Sequence, residues 1–183
     1  MRIVSIVSVL LAMSVLPAAA ALKDGADAPD FTASATLGGK EFTFSLDDAL
    51  KRGPVVLYFY PAAFTTGCTI EAHDFAEAMD NYRKLGATVV GVSGDDIATL
   101  DKFSVSECQS KFPVVADPHR TVMKEYDSVL IPLMHYASRT SYVITPDHKV
   151  IYSYTALDPD GHVANTTNAL VAWRSAHPVA ATP

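Results

Sequence analysis

The chain has 183 residues, with 14 Lys and Arg against 20 Asp and Glu, for a formal net charge of -6. That length suits one domain whose core needs no metal or disulfide support, and the acidic balance, with no run of Lys or Arg, excludes an extended nucleic-acid surface. The 49% hydrophobic content is inflated by the first twenty residues.

Those residues run from a basic start, Met1-Arg2, through an apolar body, Ile3 to Leu16, to the small-residue stretch Pro17-Ala18-Ala19-Ala20-Ala21. This is the layout of a secretory signal peptide cleaved near 20/21, which leaves a domain over 22–176 and a loose tail over 177–183. An uncleaved anchor is the alternative, because no charge lies between Arg2 and Lys23 and about 20 residues span a bilayer. Pro17 and the serines weaken such a span, so cleavage is the preferred reading and no stable membrane association is expected afterwards. No cysteine follows the apolar body, so nothing marks a lipoprotein.

Beyond the leader, Pro29-Asp30-Phe31-Thr32 and Glu41-Phe42-Thr43-Phe44 flank Leu37-Gly38-Gly39-Lys40, a hairpin pattern. Leu46 to Leu50 suits a helical turn. Val55 to Tyr60 is an unbroken β-branched and aromatic run, the mark of a strand buried on both faces, and Pro61 ends it. Thr69 to Leu85 spaces Phe75, Ala78, Met79, Tyr82 and Leu85 along one helical face, with acids early, Arg83 and Lys84 late, and Gly86 as a stop. Thr88 to Ser93 is a second buried strand, followed by a helix over about Asp96 to Ser106 with Asp95 as its N-cap. Phe112 to Asp117 reads as a short strand and Arg120 to Tyr126 as a short helix. Leu130 to Met134 reads as an apolar loop, since Pro132 argues against a central strand. Thr140 to Thr145 and Val150 to Thr155 form a hairpin around Pro146-Asp147-His148-Lys149. Asp158-Pro159-Asp160-Gly161 has the look of half a calcium loop, but no suitable acid follows, so it reads as a turn. A last helix runs from about Val163 to Ser175, with Leu170, Val171 and Trp173 available to pack on the sheet. Alternating βαβ units followed by a hairpin and a helix predict an α/β fold of thioredoxin type: a central mixed sheet flanked by helices, with an N-terminal hairpin.

The chemistry centres on two cysteines, Cys68 and Cys108. In an exported chain such a pair reads by default as a structural disulfide. Cys68, however, follows a loop at the end of the buried strand and opens a helix, where unpaired N–H groups favour the thiolate. The segment Pro61, Thr65, Cys68 resembles the active-site loop of the peroxiredoxins, with Pro, three residues, Thr, two residues, Cys. Its surroundings, Tyr58-Phe59-Tyr60-Pro61 and Thr69-Ile70-Glu71, resemble the bacterioferritin comigratory branch, and a weaker resemblance extends over roughly residues 25 to 172.

The resemblance implies a thiol-dependent peroxidase without metal or cofactor, in which Cys68 reduces hydrogen peroxide or an organic hydroperoxide and becomes a sulfenic acid. Glu71, three residues on, opposes the thiolate, so a compensating cation is required. The resemblance supplies Arg139, just before the strand starting at Thr140, and an Arg139–Glu71 contact would hold the guanidinium towards the thiolate. Thr65 is expected to orient thiolate and peroxide through its hydroxyl, and Pro61 to shield the thiolate and direct the loop. Tyr58, Phe59, Tyr60 and Phe64 are expected to pack, some of them lining the peroxide entrance. The branch most often places its resolving cysteine five residues after the first, where this chain has His73. Cys108 is the remaining candidate, compatible with the branch members that place it in or near the next helix. An intramolecular Cys68–Cys108 bridge is the preferred reading, with an intermolecular bridge or an external thiol as the alternatives, and resolution by Cys108 would require the first turns of the Cys68 helix to unwind. The expected partners are a peroxide and a dithiol reductant of thioredoxin-like type, with the protein a monomer or homodimer in the periplasm or secreted. A thioredoxin-like disulfide reductase is a rival, but Thr65 stands where its first thiol would be. A non-enzymatic exported protein with a structural disulfide is the other. The six histidines show no metal-ligand spacing and read as solvent-facing or locally bonded.

Overall fold

The computed structural model describes residues 21–130 and 136–178. The expected signal peptide over 1–20, most of the apolar loop with Pro132 and His135, and the end of the tail lie outside them.

Seven strands form one mixed sheet, and its layering follows from residue alternation along the central strand β3, Val55–Phe59. Val55, Leu57 and Phe59 face one core with Leu46, Ala49 and Leu50 of α1 (Leu46–Leu50) and with Val122 and Met123 of α4 (Thr121–Glu125). Val56 and Tyr58 face the other core, built with α2 (Thr66–Lys84), α3 (Ile97–Ser106) and α5 (His162–Ala176). A strand buried on both sides has no reason to alternate polar residues, which is why Val55 to Phe59 reads as one apolar run. In sheet order the strands are β2 (Lys40–Ser45), β1 (Thr32–Leu37), β5 (Val114–Ala116), β4 (Thr88–Ser93), β3, β6 (Thr140–Ile144) and β7 (Val150–Thr155). β3, β4 and β5 are parallel, whereas β6 runs antiparallel to β3.

The N-terminal hairpin turns on Gly38 and Gly39, with φ of 59° and 73°. Two successive positive φ values match the twist of the flanking strands and suit glycine. α2 begins three residues earlier than its apolar spacing suggests, because Thr65 is already extended and serves as the N-cap. Its acids therefore start in the second turn. Gly86 follows the helix at φ 66°, and the Arg174 guanidinium of α5 donates to Leu85 O at 2.7 Å, meeting a carbonyl the helix end leaves open.

Three expectations need correction. The N-cap of α3 is Asp96, not Asp95: the Asp96 carboxylate accepts from Thr99 N at 2.7 Å. On α5 only Leu170 of the three named residues packs into the core, since Leu170 and Thr166, four apart, fill the inward stripe. Val171 is exposed, and Trp173 instead lies between His177 and the Arg174 guanidinium. Phe64, expected to pack, does so on one side only, against Phe103, and is 49% exposed. The turn at Asp158 holds, as Pro159–Gly161 forms a 3-10 turn capped by the Asp158 carboxylate. No helix among the described residues is long and apolar enough to cross a membrane.

Tyr58 is wedged over β4. A Cβ on Gly91 would lie 2.8 Å from the ring of this wholly buried residue. Replacing Gly91 with Ala should therefore lower stability by about 1–3 kcal/mol through overpacking, read as a lower urea midpoint; an unchanged midpoint would mean that the ring is free to retreat.

Candidate active site

The loop from β3 to α2 is held at both ends. At its start Tyr60 N donates to Val92 O at 3.1 Å, which extends the β3–β4 pairing by one residue past Phe59. In the middle, Ala63 N donates to Asp95 Oδ2 at 2.7 Å, and Ser93 Oγ donates to the same oxygen at 2.8 Å. Asp95, expected to cap a helix, thus fastens the loop to the end of β4. Phe64 then takes φ 62°, a left-handed conformation uncommon for a bulky residue, and rests edge-on against Phe103 at 5.3 Å. Thr65 is extended and turns the chain into α2, where Cys68 is the third residue.

Cys68 is 1% exposed and Arg139 5%. The register explains their meeting. Phe59 pairs with Thr140 in the antiparallel β3–β6 ladder, so Arg139 falls beside the start of the loop. Arg139 Nη2 donates to Cys68 Sγ at 3.5 Å, Nε to Leu157 O at 2.9 Å, and Nη1 to Glu71 Oε2. The expected Arg139–Glu71 contact is present and aims the guanidinium at the sulfur. Gly67 provides room, because a Cβ there would sit 3.0 Å from Arg139 Nη2.

Thr65 is differently arranged from its expected role. Its hydroxyl donates to Ala62 O at 3.0 Å, and among the described residues no hydrogen bond joins it to Cys68. The local loop carbonyl takes its proton and leaves its lone pairs to accept. Pro61 is half-buried where the loop leaves the strand.

Cys108 lies just past α3, fully buried in the same apolar cluster as Cys68, and both thiols are free. Burial pushes the Cys108 thiol up, and the charge of Glu107 adds to it. Tyr58 and Tyr60 are also wholly buried, and that burial pushes their hydroxyls well above the phenol range. Rings run from Phe75 through Tyr58 and Tyr60 to Phe103, with centroids 4.3, 5.5 and 5.4 Å apart. His73 on α2 reaches Glu107, the neighbour of Cys108, at 3.1 Å.

His162, at the start of α5, was not singled out by spacing, yet it is fully buried behind Glu71. Its Nδ1 lies 2.8 Å from Ser141 Oγ and 3.6 Å from Glu71 Oε1, and its Nε2 lies 3.1 Å from Ala156 O. Burial pushes Glu71 up to about 8 despite the opposing pull of Arg139, and pushes His162 down to about 4. Among the described residues no group of three or more His, Cys, Asp and Glu is placed to hold a metal ion.

Residues 25–153 match the AhpC/TSA family. The chain belongs to that family. It is 34% identical over 143 residues to the chloroplastic peroxiredoxin Q of Triticum aestivum, covering 78% of this chain and 64% of that one. To the chloroplastic peroxiredoxin Q of Oryza sativa subsp. japonica it is 33% identical over 147 residues, 80% of this chain and 65% of the relative. The chain thus spans a little under two thirds of the length of these plant relatives. The crystal structure of peroxidoxin BcpB from Mycobacterium tuberculosis superposes with a TM-score of 0.76 at 30% identity, covering 82% of this chain and 97% of that one. The fold is therefore the thioredoxin-like fold of the peroxiredoxins, as expected.

Two outcomes follow from this geometry. Asp95→Ala removes the acceptor for Ala63 N, and the amide of Ala63 should exchange at least about tenfold faster with solvent hydrogen; unaltered exchange would show that the loop is held without Asp95. Glu71 keeps its proton in the fold up to about pH 8 but would release it near 4.5 when unfolded, so its stabilising contribution is full below 4.5 and is lost as pH rises to 8. His162 has the opposite sign, its contribution fading as pH falls from 6.5 to about 4. Urea midpoints of Glu71→Gln relative to the parent protein should accordingly shift in favour of the variant between pH 5 and pH 8. A difference independent of pH would remove the buried-acid account.

Proposed function

We propose that the protein is a thiol-dependent peroxidase acting through Cys68. The observation that carries this reading is a buried cysteine in the first turn of a helix, with the Arg139 guanidinium donating to its sulfur at 3.5 Å. Helix N–H groups and a fixed cation both favour the thiolate, the form that attacks. In the first step the Cys68 sulfur attacks one peroxide oxygen. An S–O bond forms, the O–O bond breaks, sulfur is oxidised to a sulfenic acid, and the other oxygen leaves with a proton as water or alcohol. Donors fixed beside the sulfur stabilise the charge that moves onto the leaving oxygen. Arg139 suits that role, and Thr65 can accept from the peroxide.

The second step is resolution by Cys108. Its thiolate attacks the sulfenic sulfur, an S–S bond forms, and hydroxide leaves to become water. A thioredoxin-like dithiol then returns two electrons. Both thiols are buried in one apolar cluster, which favours an internal bridge, although the Cys108 thiol must lose its proton and the first turns of α2 must open. The substrate class is hydrogen peroxide or organic hydroperoxides. The leader over 1–20 supports export to the periplasm or outside the cell, as a monomer or homodimer.

The deciding experiment is the intact mass of the reduced mature protein before and after one equivalent of hydrogen peroxide, followed by non-reducing peptide mapping. Loss of two hydrogens with a Cys68–Cys108 peptide is the expected result, and Cys108→Ser should instead leave the sulfenic acid on Cys68. An added oxygen on Cys68 with Cys108 free in the parent protein would overturn internal resolution while keeping the peroxidase. Two cysteines inert to peroxide for minutes would overturn the catalytic reading.

A further inference from the structure

The turn that carries Cys108 is fastened to the helix that carries Cys68. Glu107, the C-cap of α3, places Oε2 3.1 Å from His73 Nε2 on α2, and its side chain is only 17% exposed, so the contact is partly sheltered from water. A second tie lies at the far end of the turn, where Arg83 Nη2 of α2 donates to Lys111 O at 3.4 Å. The His73–Glu107 pair is the shorter of the two and the nearer to Cys108. Between the ties the chain folds back on α3: Glu107 N and Cys108 N both donate to Phe103 O, at 2.9 and 3.1 Å, and Ser110 N donates to Ser104 O at 2.9 Å.

The same turn is strained. Gln109 and Ser110 take φ of 51° and 56°, a left-handed conformation that crowds an L side chain against the following carbonyl. Ser110 is also confined from outside, since a Cβ on Gly38 at the tip of the β1–β2 hairpin would lie 3.1 Å from its own Cβ. Strain of this kind persists only where the surrounding contacts over-determine it. The ties to α2 and α3 are such contacts, and they hold Cys108 fully buried.

Both thiols are free in this arrangement, and Arg139 donates to the Cys68 sulfur. A bridge brings two sulfurs to about 2 Å, so the backbone beside at least one of them must move. Glu107 travels with Cys108, whereas His73 stands five residues after Cys68 on the helix whose first turns must open. The contact thus crosses the boundary between the two moving parts. An interaction made in the closed form and lost in the open one slows opening.

We propose that His73 and Glu107 are positioning residues for Cys108: their contact latches its turn onto α2 and sets how fast Cys108 closes on the Cys68 sulfenic acid. The inference deepens the peroxidase reading and rests on its second step. There the latch parts, the Cys108 sulfur attacks the sulfenic sulfur, an S–S bond forms, and the thiol proton leaves with the sulfenic hydroxyl as water.

The test times the two steps separately. Reduced protein is mixed with one equivalent of hydrogen peroxide, quenched in acid at intervals and weighed, a gain of one oxygen reporting the sulfenic acid and a loss of two hydrogens the bridge. His73→Ala should form the sulfenic acid at the parent rate and close the bridge about two- to fivefold faster, the range for a partly exposed pair. His73→Gln keeps a donor towards Glu107 and should return closure towards the parent rate. Closure in His73→Ala that is unaltered or slower would overturn the proposal, as would an equal change in both steps or a Gln variant as fast as Ala. Hydrogen exchange of the reduced protein checks the latch without peroxide: the amides of Glu107 and Cys108 should exchange about two- to fivefold faster in His73→Ala, and unaltered exchange would also overturn it. Cysteines inert to peroxide would sink the peroxidase reading and this inference with it, whereas Cys68 oxidised without a bridge in any variant would sink this inference alone.

Discussion

A guanidinium almost removed from water must have its N–H groups answered, and the answers given to Arg139 organise much of this molecule. Its three nitrogens reach Leu157 O, Glu71 Oε2 and Cys68 Sγ, which belong to the turn after β7 and to α2. The contacts join positions 18, 68 and 71 residues apart, and each is sheltered from the solvent screening that makes surface pairs weak. Removing a single partner would leave a buried donor or charge unmatched, the situation with the largest penalties. The site and the fold are therefore stabilised by the same few bonds.

Sheet register does the placing. Because β6 pairs antiparallel with β3, the residue before β6 is brought level with the loop after β3. Because β4 is parallel to β3, its end lies beside the same loop, and Asp95 is there to receive Ala63 N. The two neighbours of the central strand thus supply the cation and the fastening from opposite sides. Gly67 completes the arrangement by leaving the space into which the guanidinium fits.

What could be read from the sequence was what is local or strongly patterned. The burial of Val55 to Phe59, the helix carrying Cys68 and the hairpin on Gly38-Gly39 follow from runs, spacing and turn chemistry, while Pro61, Thr65 and Cys68 lie within eight residues and carry a recognisable motif. Arg139 was within reach because Glu71 beside a thiolate calls for a cation and the resemblance offered one. The choice between Asp95 and Asp96 as helix cap was not, since adjacent residues of one type differ only in which way the chain turns, and that depends on where Ala63 lies. His162 left no local mark at all. Its significance comes from packing α5 against α2 and β6, which joins three distant segments, and single-chain spacing is silent about such a meeting.

The depth of Cys68 has a further consequence. At 1% exposure the Cys68 sulfur offers almost no surface while α2 remains wound, and on the proposed peroxidase reading this weighs far more against a protein thiol, which must bring a whole side chain into line with the sulfur, than against a small peroxide. On that reading the closed interior would sort reagents by molecular size, separating in time the one that takes electrons from the one that returns them. The frequency with which the first turn unravels would then set the tempo of the return, and with it the interval in which the oxidised sulfur stands exposed to a second collision.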